Sequence, residues 1–106
     1  MTTEINHGLS PQNLRIIEDI FRKNIPSGVR LVVCIFGSRA KGTHSRYSDV
    51  DLLIECEALP AGALSKIAES LEETSLPYKF DLVDAGKLAP EYKLSVNASK
   101  RFLFAL

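Results

Sequence analysis

Residues 29–56 read V-R-L-V-V-C-I-F-G-S-R-A-K-G-T-H-S-R-Y-S-D-V-D-L-L-I-E-C, and this stretch decides the fold. Val29 to Phe36 is a nearly continuous apolar, β-branched run whose length suits a buried strand rather than a helix. Gly37 to Ser48 is polar, with two glycines, three serines and three cations, which predicts a loop with room for one helical turn. Asp49 to Cys56 opens polar and becomes apolar, which predicts a second strand.

Outward from this stretch the elements alternate. Ser10-Pro11 is a helix start, with serine as N-cap and proline at the first helical position. Leu14, Ile17 and Phe21 follow at helical spacing, widened by Ile16 and Ile20, and the helix should end before Pro26. Residues 1–9 read as a loose tail. On the other side, Ala61 to Thr74 predicts an amphipathic helix with Leu64, Ile67, Ala68 and Leu71 on one face. Lys79 to Val83 predicts a third strand, Ala89 to Ala98 a helix opened by Pro90, and Arg101 to Leu106 a last extended piece. The order implies an α/β (α+β) fold, a small mixed sheet of three to four strands flanked by helices.

The 106 residues suit one domain, 1–106, large enough to bury about two-thirds of its unfolded surface. With 13 basic and 13 acidic side chains the net charge is zero, which argues against a broad nucleic-acid-binding surface. No apolar run approaches the roughly eighteen residues of a membrane span, and the first residues lack a signal-peptide pattern. Cys34 and Cys56 each sit in an apolar run and read as reduced, strand-buried thiols of a cytoplasmic protein.

Three groups of residues carry chemistry. Asp49 and Asp51 are two apart on a strand, so their carboxylates share a face while Val50, Leu52 and Ile54 point to the core. Two such charges repel unless a cation lies between them, and Mg²⁺ prefers hard carboxylate oxygens completed by substrate phosphates. Asp81 stands mid-strand in Phe80-Asp81-Leu82-Val83, where a buried carboxylate needs a metal, a cation or a donor. An edge-strand pairing with Lys79 would serve it equally, and a strand beside that of Asp49 would bring three carboxylates together. Asp84 falls on the opposite face, beside the turn Ala85-Gly86. Gly37-Ser38 ends the first strand, where a glycine lets backbone N–H groups approach a phosphate and the hydroxyl adds a donor. Arg39, Lys41 and Arg46 follow with no acid among them, Arg39 and Lys41 being candidates for the same anion. Gly37 to Thr43 is not a P-loop, because Lys41 precedes the second glycine instead of following it.

Taken together, Gly37-Ser38, ten residues, Asp49-Val50-Asp51 and then Asp81 match the G-S-x10-D-x-D signature. The chain resembles the DNA polymerase β-like nucleotidyltransferase superfamily, and its short length resembles the minimal nucleotidyltransferase (MNT) subgroup. That resemblance implies the polymerase-β-like fold and an enzyme transferring a nucleoside monophosphate, most often AMP from ATP. It implies that Asp49 and Asp51 hold two Mg²⁺ ions. It implies as well that Asp81 binds one of them and assists deprotonation of the acceptor, and that Gly37 and Ser38 hold the triphosphate. Only 25 residues follow Asp81, too few for an acceptor-binding domain. The resemblance then implies an acceptor on a second chain, an all-helical HEPN-type partner, with this chain as the antitoxin that adenylylates a HEPN ribonuclease toxin. A homo- or hetero-oligomer is the matching expectation. Two other readings fit the same residues: transfer to a small molecule such as an aminoglycoside, or neutralisation of a partner by contact without catalysis.

Overall fold

The Ser10 hydroxyl accepts a hydrogen bond from the Asn13 amide at 3.1 Å, and Pro11 follows it, so the first helix starts where cap and missing N–H both favour it. This helix, α1, spans Pro11–Asn24 in the computed structural model, which describes residues 7–106. Ile25 is extended ahead of Pro26, whose ring disfavours a helical neighbour. The Val29 amide folds back onto the Pro26 carbonyl at 3.2 Å. That turn delays strand β1, which spans Val32–Phe36 rather than starting at residue 29.

A single helical turn, α2, occupies Ser38–Lys41 within the polar loop, and β2 spans Val50–Glu55. Helix α3, Ala63–Glu72, contains the whole apolar stripe but is shorter at both ends than the expected Ala61–Thr74. The Ala63 amide closes a turn onto the Pro60 carbonyl at 3.1 Å, and the Thr74 hydroxyl donates to the Leu71 carbonyl at 2.7 Å. Strand β3 spans Phe80–Asp84, a short 3-10 turn covers Ala85–Lys87, α4 spans Pro90–Ser99, and β4 spans Arg101–Ala105.

The four strands form one mixed sheet in the order β3-β2-β1-β4. Strand β1 is antiparallel to both β2 and β4, while β2 and β3 run parallel, with α3 as the crossover between them. Strand alternation sorts the side chains into two faces. Val33, Ile35, Val50, Leu52 and Ile54 are buried beneath Ile17 and Phe21 of α1 and Ala63, Ile67 and Leu71 of α3. On the opposite face Cys34 and Leu53 are covered by Val96 of α4.

The β1–β4 register shifts between Val33 and Cys34, pairing Val33 with Phe104 and Cys34 with Phe102, and so skipping Leu103. A bulge of this kind sends residues that would share a face to opposite ones. Phe104 therefore enters the main core, edge-on to Phe21 with ring centroids 5.4 Å apart, whereas Phe102 is 65% exposed.

The tail expected over residues 1–9 lies outside the described residues for 1–6. Residues 7–9 are not loose: Leu9 joins the main core, and its amide donates to His7 Nδ1 at 3.1 Å. Cys34 is buried in β1 as expected, but Cys56 falls just beyond β2 and is half-buried; both are free thiols. Among the described residues no helix is long and apolar enough to cross a membrane.

Candidate active site

The parallel pairing of β2 with β3 sets Asp51 directly opposite Asp81. Asp49 lies two residues before Asp51, one position ahead of the strand. The odd-numbered residues of both strands face away from α1 and α3, so the carboxylates gather on the thinly covered face. Asp49 and Asp81 are exposed and Asp51 is half-buried. Burial, then the charges of Asp81 and Asp49, hold the Asp51 carboxyl above the usual carboxylate range, with Arg39 opposing them. The ion pairs among the described residues are Arg22–Glu18 and Lys100–Glu55, and neither involves these acids. Of the two readings of Asp81, the edge-strand one holds, since Asp81 is exposed on the edge strand β3, but the ion pairs among the described residues do not include one to Lys79; the partly desolvated member of the group is Asp51. Asp84 accepts from the Gly86 amide at 2.9 Å and so caps the 3-10 turn, the turn role its position suggested.

Gly37 follows β1 with φ +73°. A side chain is disfavoured there twice: the positive φ with ψ −152° is a conformation essentially reserved for glycine, and a Cβ would run into Asp51 Oδ2. Gly37 thus brings the chain against the carboxylate, and Ser38 starts the helical turn beside it. Lys41, at the end of that turn, is exposed. Gly42 closes the turn at φ 74°, and the Thr43 amide donates to the Ser38 carbonyl at 3.0 Å.

Arg39 does not accompany Lys41 at the surface. It is 1% exposed, the one buried charged side chain among the described residues. Its Nη2 donates to the Ser48 carbonyl at 2.9 Å and the Arg46 carbonyl at 3.3 Å, and its Nη1 to the His7 carbonyl at 2.7 Å. Its Nε donates to Ser48 at 3.2 Å, and the guanidinium lies 4.7 Å from the centroid of the Tyr78 ring. A phosphate contact by Arg39 is therefore replaced by a structural one, since the fork is spent on backbone carbonyls. No local pattern announces this, because the His7 contact spans 32 positions.

His44 is half-buried, and its buried Nδ1 has no hydrogen-bond partner among the described residues. Gly8 packs so closely that a Cβ would lie 2.6 Å from His44 Nε2 and 2.7 Å from Arg39 Nη1. His7 belongs to the same group; burial, then Arg39 and His44, lower its basicity. Arg46 covers the exposed Tyr47 ring, at 5.4 Å from its centroid.

The acids suit a hard cation. Among the described residues no three His, Cys, Asp or Glu side chains converge as a complete ligand set. A magnesium site, however, normally takes one or two carboxylates and completes itself with phosphate oxygens and water. The half-buried Asp51, flanked by two acids and paired with no base, is where added positive charge is favourable.

Residues 14–105 match the family described as "Nucleotidyltransferase domain". The chain belongs to that family and is an enzyme of the nucleotidyltransferase class. Within it, the chain is 31% identical over 94 residues to the probable protein adenylyltransferase MntA of Haemophilus influenzae, covering 88% of this chain and 80% of that protein. A solved toxin–antitoxin structure with AMP-PNP superposes with a TM-score of 0.68 at 28% identity, covering 87% of this chain and 73% of that one. The fold is also that of the chain found in a tri-AMPylated HEPN toxin–MNT antitoxin complex from Shewanella oneidensis, with a TM-score of 0.63 at 23% identity over 88% of this chain and 70% of that one.

Proposed function

We propose that this nucleotidyltransferase moves AMP from ATP onto a hydroxyl of a partner protein, and that the partner is a HEPN-type toxin which the transfer neutralises. The observation that carries the chemistry is the Asp51–Asp81 register pair with Asp49 alongside it and Gly37 against it. The likeness to MntA and to a toxin–antitoxin structure holding AMP-PNP supports the donor and the partner class.

In this reading Asp49, Asp51 and Asp81 hold two Mg²⁺ ions. When bound, the ions lower the pKa of the attacking hydroxyl and neutralise the charge of the departing pyrophosphate. The backbone at Gly37 and the Ser38 hydroxyl bind the β- and γ-phosphates, with Lys41 adding charge from the exposed end of α2. The acceptor oxygen bonds to the α-phosphorus, the bond from that phosphorus to the β-bridging oxygen breaks, and pyrophosphate leaves. Asp81, exposed on the edge strand, takes the hydroxyl proton. Its exposure is what lets an acceptor from another molecule reach it.

Incubation with Mg²⁺, α-labelled ATP and a HEPN-type partner tests the proposal. Label should appear on the partner and be lost in Asp49→Asn. Full neutralisation of the partner by Asp49→Asn, with no label transferred, would replace catalysis by contact.

A further inference from the structure

The transfer reaction needs the carboxylates and the phosphate-holding turn at a fixed separation, yet Asp49 lies outside the β2 ladder. Its backbone is held from both neighbours instead. The Val50 amide donates to the Lys79 carbonyl at 2.8 Å, which ties Asp49 to the entry of β3. On the other side, the Ser48 carbonyl takes two N–H groups from Arg39, at 2.9 and 3.2 Å.

We propose that Arg39 is a positioning residue for nucleotidyl transfer: its buried guanidinium clamps the backbone before Asp49 to the helical turn that carries Ser38. Arg39 itself belongs to α2, so every bond it makes to the loop is a bond between the two halves of the site. A third contact, to the Arg46 carbonyl, holds the loop's descending limb, and a fourth reaches the His7 carbonyl. The Tyr78 ring beneath the guanidinium lies two residues before β3 and extends the clamp to the strand of Asp81.

The chemistry selects arginine. A charge buried to this degree needs its donors satisfied, and here carbonyl oxygens and an aromatic face do that without a carboxylate. The planar fork reaches several carbonyls in fixed directions while staying charged; an ammonium on a flexible stem presents three donors from one point. Arg39→Lys therefore keeps the charge and most of the stem but cannot serve Ser48, Arg46 and His7 together.

The clamp predicts a split that loss of folding does not produce. The backbone bonds of α2, Lys41 to Gly37 and Thr43 to Ser38, do not use the Arg39 side chain, so triphosphate binding should survive its replacement. In Arg39→Lys, kcat should fall about 100-fold, the scale on which an ångström of misplacement acts, with KM for ATP within about threefold. Amide exchange should quicken in residues 43–50 and stay unchanged at the centre of β1. Tyr78→Leu, which removes only the ring under the guanidinium, should give the same pattern at a smaller loss, about 5-fold in kcat.

A kcat for Arg39→Lys within threefold of the parent overturns the proposal. So does a loss that only tracks the unfolded fraction, or exchange that quickens evenly over the sheet. If Arg39→Lys fails to fold, unchanged kcat and exchange in Tyr78→Leu overturn it as well. The inference uses the proposed AMP transfer only as its kinetic assay. A parent protein that labels no partner refutes that transfer, while the exchange pattern still decides the clamp.

Discussion

The two faces of the sheet are built from alternate residues of the same strands and do different work. Toward α1 and α3, Val33, Ile35, Val50, Leu52 and Ile54 are buried in one continuous apolar core. Toward α4, the smaller cluster of Cys34, Leu53 and Val96 gives way to Asp49, Asp51 and Asp81. If these carboxylates meet a substrate, as proposed, they cannot be roofed by apolar side chains. The cover on that side is accordingly thin, and Tyr92, Leu94 and Phe102 are exposed on or beside it. One face stabilises the sheet so that the other can hold repelling charges.

The largest test of this division is Asp51→Asn. Transfer should fall at least about 1,000-fold, on the scale of removing a principal electrostatic group from a catalytic site. Without divalent cation, the same variant should melt a few degrees higher than the parent at neutral pH, by differential scanning calorimetry. The sign follows from the raised carboxyl: its contribution to stability is full below its unfolded pKa and is lost as pH rises through the folded value, so the neutral amide removes a destabilising charge. A lower melting point would show that Asp51 is a structural acceptor, and the contrast between faces would fail.

Phe21→Ala should do the reverse. It opens a cavity against Phe104 in the main core and should cost about 3–5 kcal/mol in denaturant unfolding. Activity per folded molecule should be retained. Gly37→Ala lies between these extremes. The positive-φ backbone, with ψ −152° outside the left-handed helical well, should cost about 1–3 kcal/mol, and the added methyl must displace the Asp51 carboxylate, so transfer should fall more than the stability loss explains. Equal losses in both would separate Gly37 from the site. The smallest effect belongs to Leu94→Ser, at 85% exposure, with a change below about 0.5 kcal/mol. A larger loss would mean that the α4 side carries more of the stability than its thin cover suggests.

Much of this arrangement was legible in residue order because it depends on local periodicity. Ser10-Pro11 starts a helix through a cap and a missing N–H that are neighbours in the chain. Asp49 and Asp51 share a face because strands repeat every two residues. Gly37-Ser38 stands after the first strand because an apolar run ends there. The exposure of Asp81 is not decided by residue order, since an acid between Phe80 and Leu82 suits a buried strand or an edge one until the sheet order places β3 at the edge.

Residue order alone thus determined the elements, the shared face of the acids and the glycine–serine turn, all of them properties of a few adjacent residues. Only the tertiary structure decided that β3 runs parallel beside β2 and sets Asp81 against Asp51. It alone sent Phe102 and Phe104 to opposite faces, through a register shift against β1. It alone turned Arg39 from a loop cation into a buried link between His7, Ser48 and Tyr78. The physical reason is common to all three. A strand partner, a bulge and a buried guanidinium are chosen by groups far away in the chain, and their energies exist only once those groups have met.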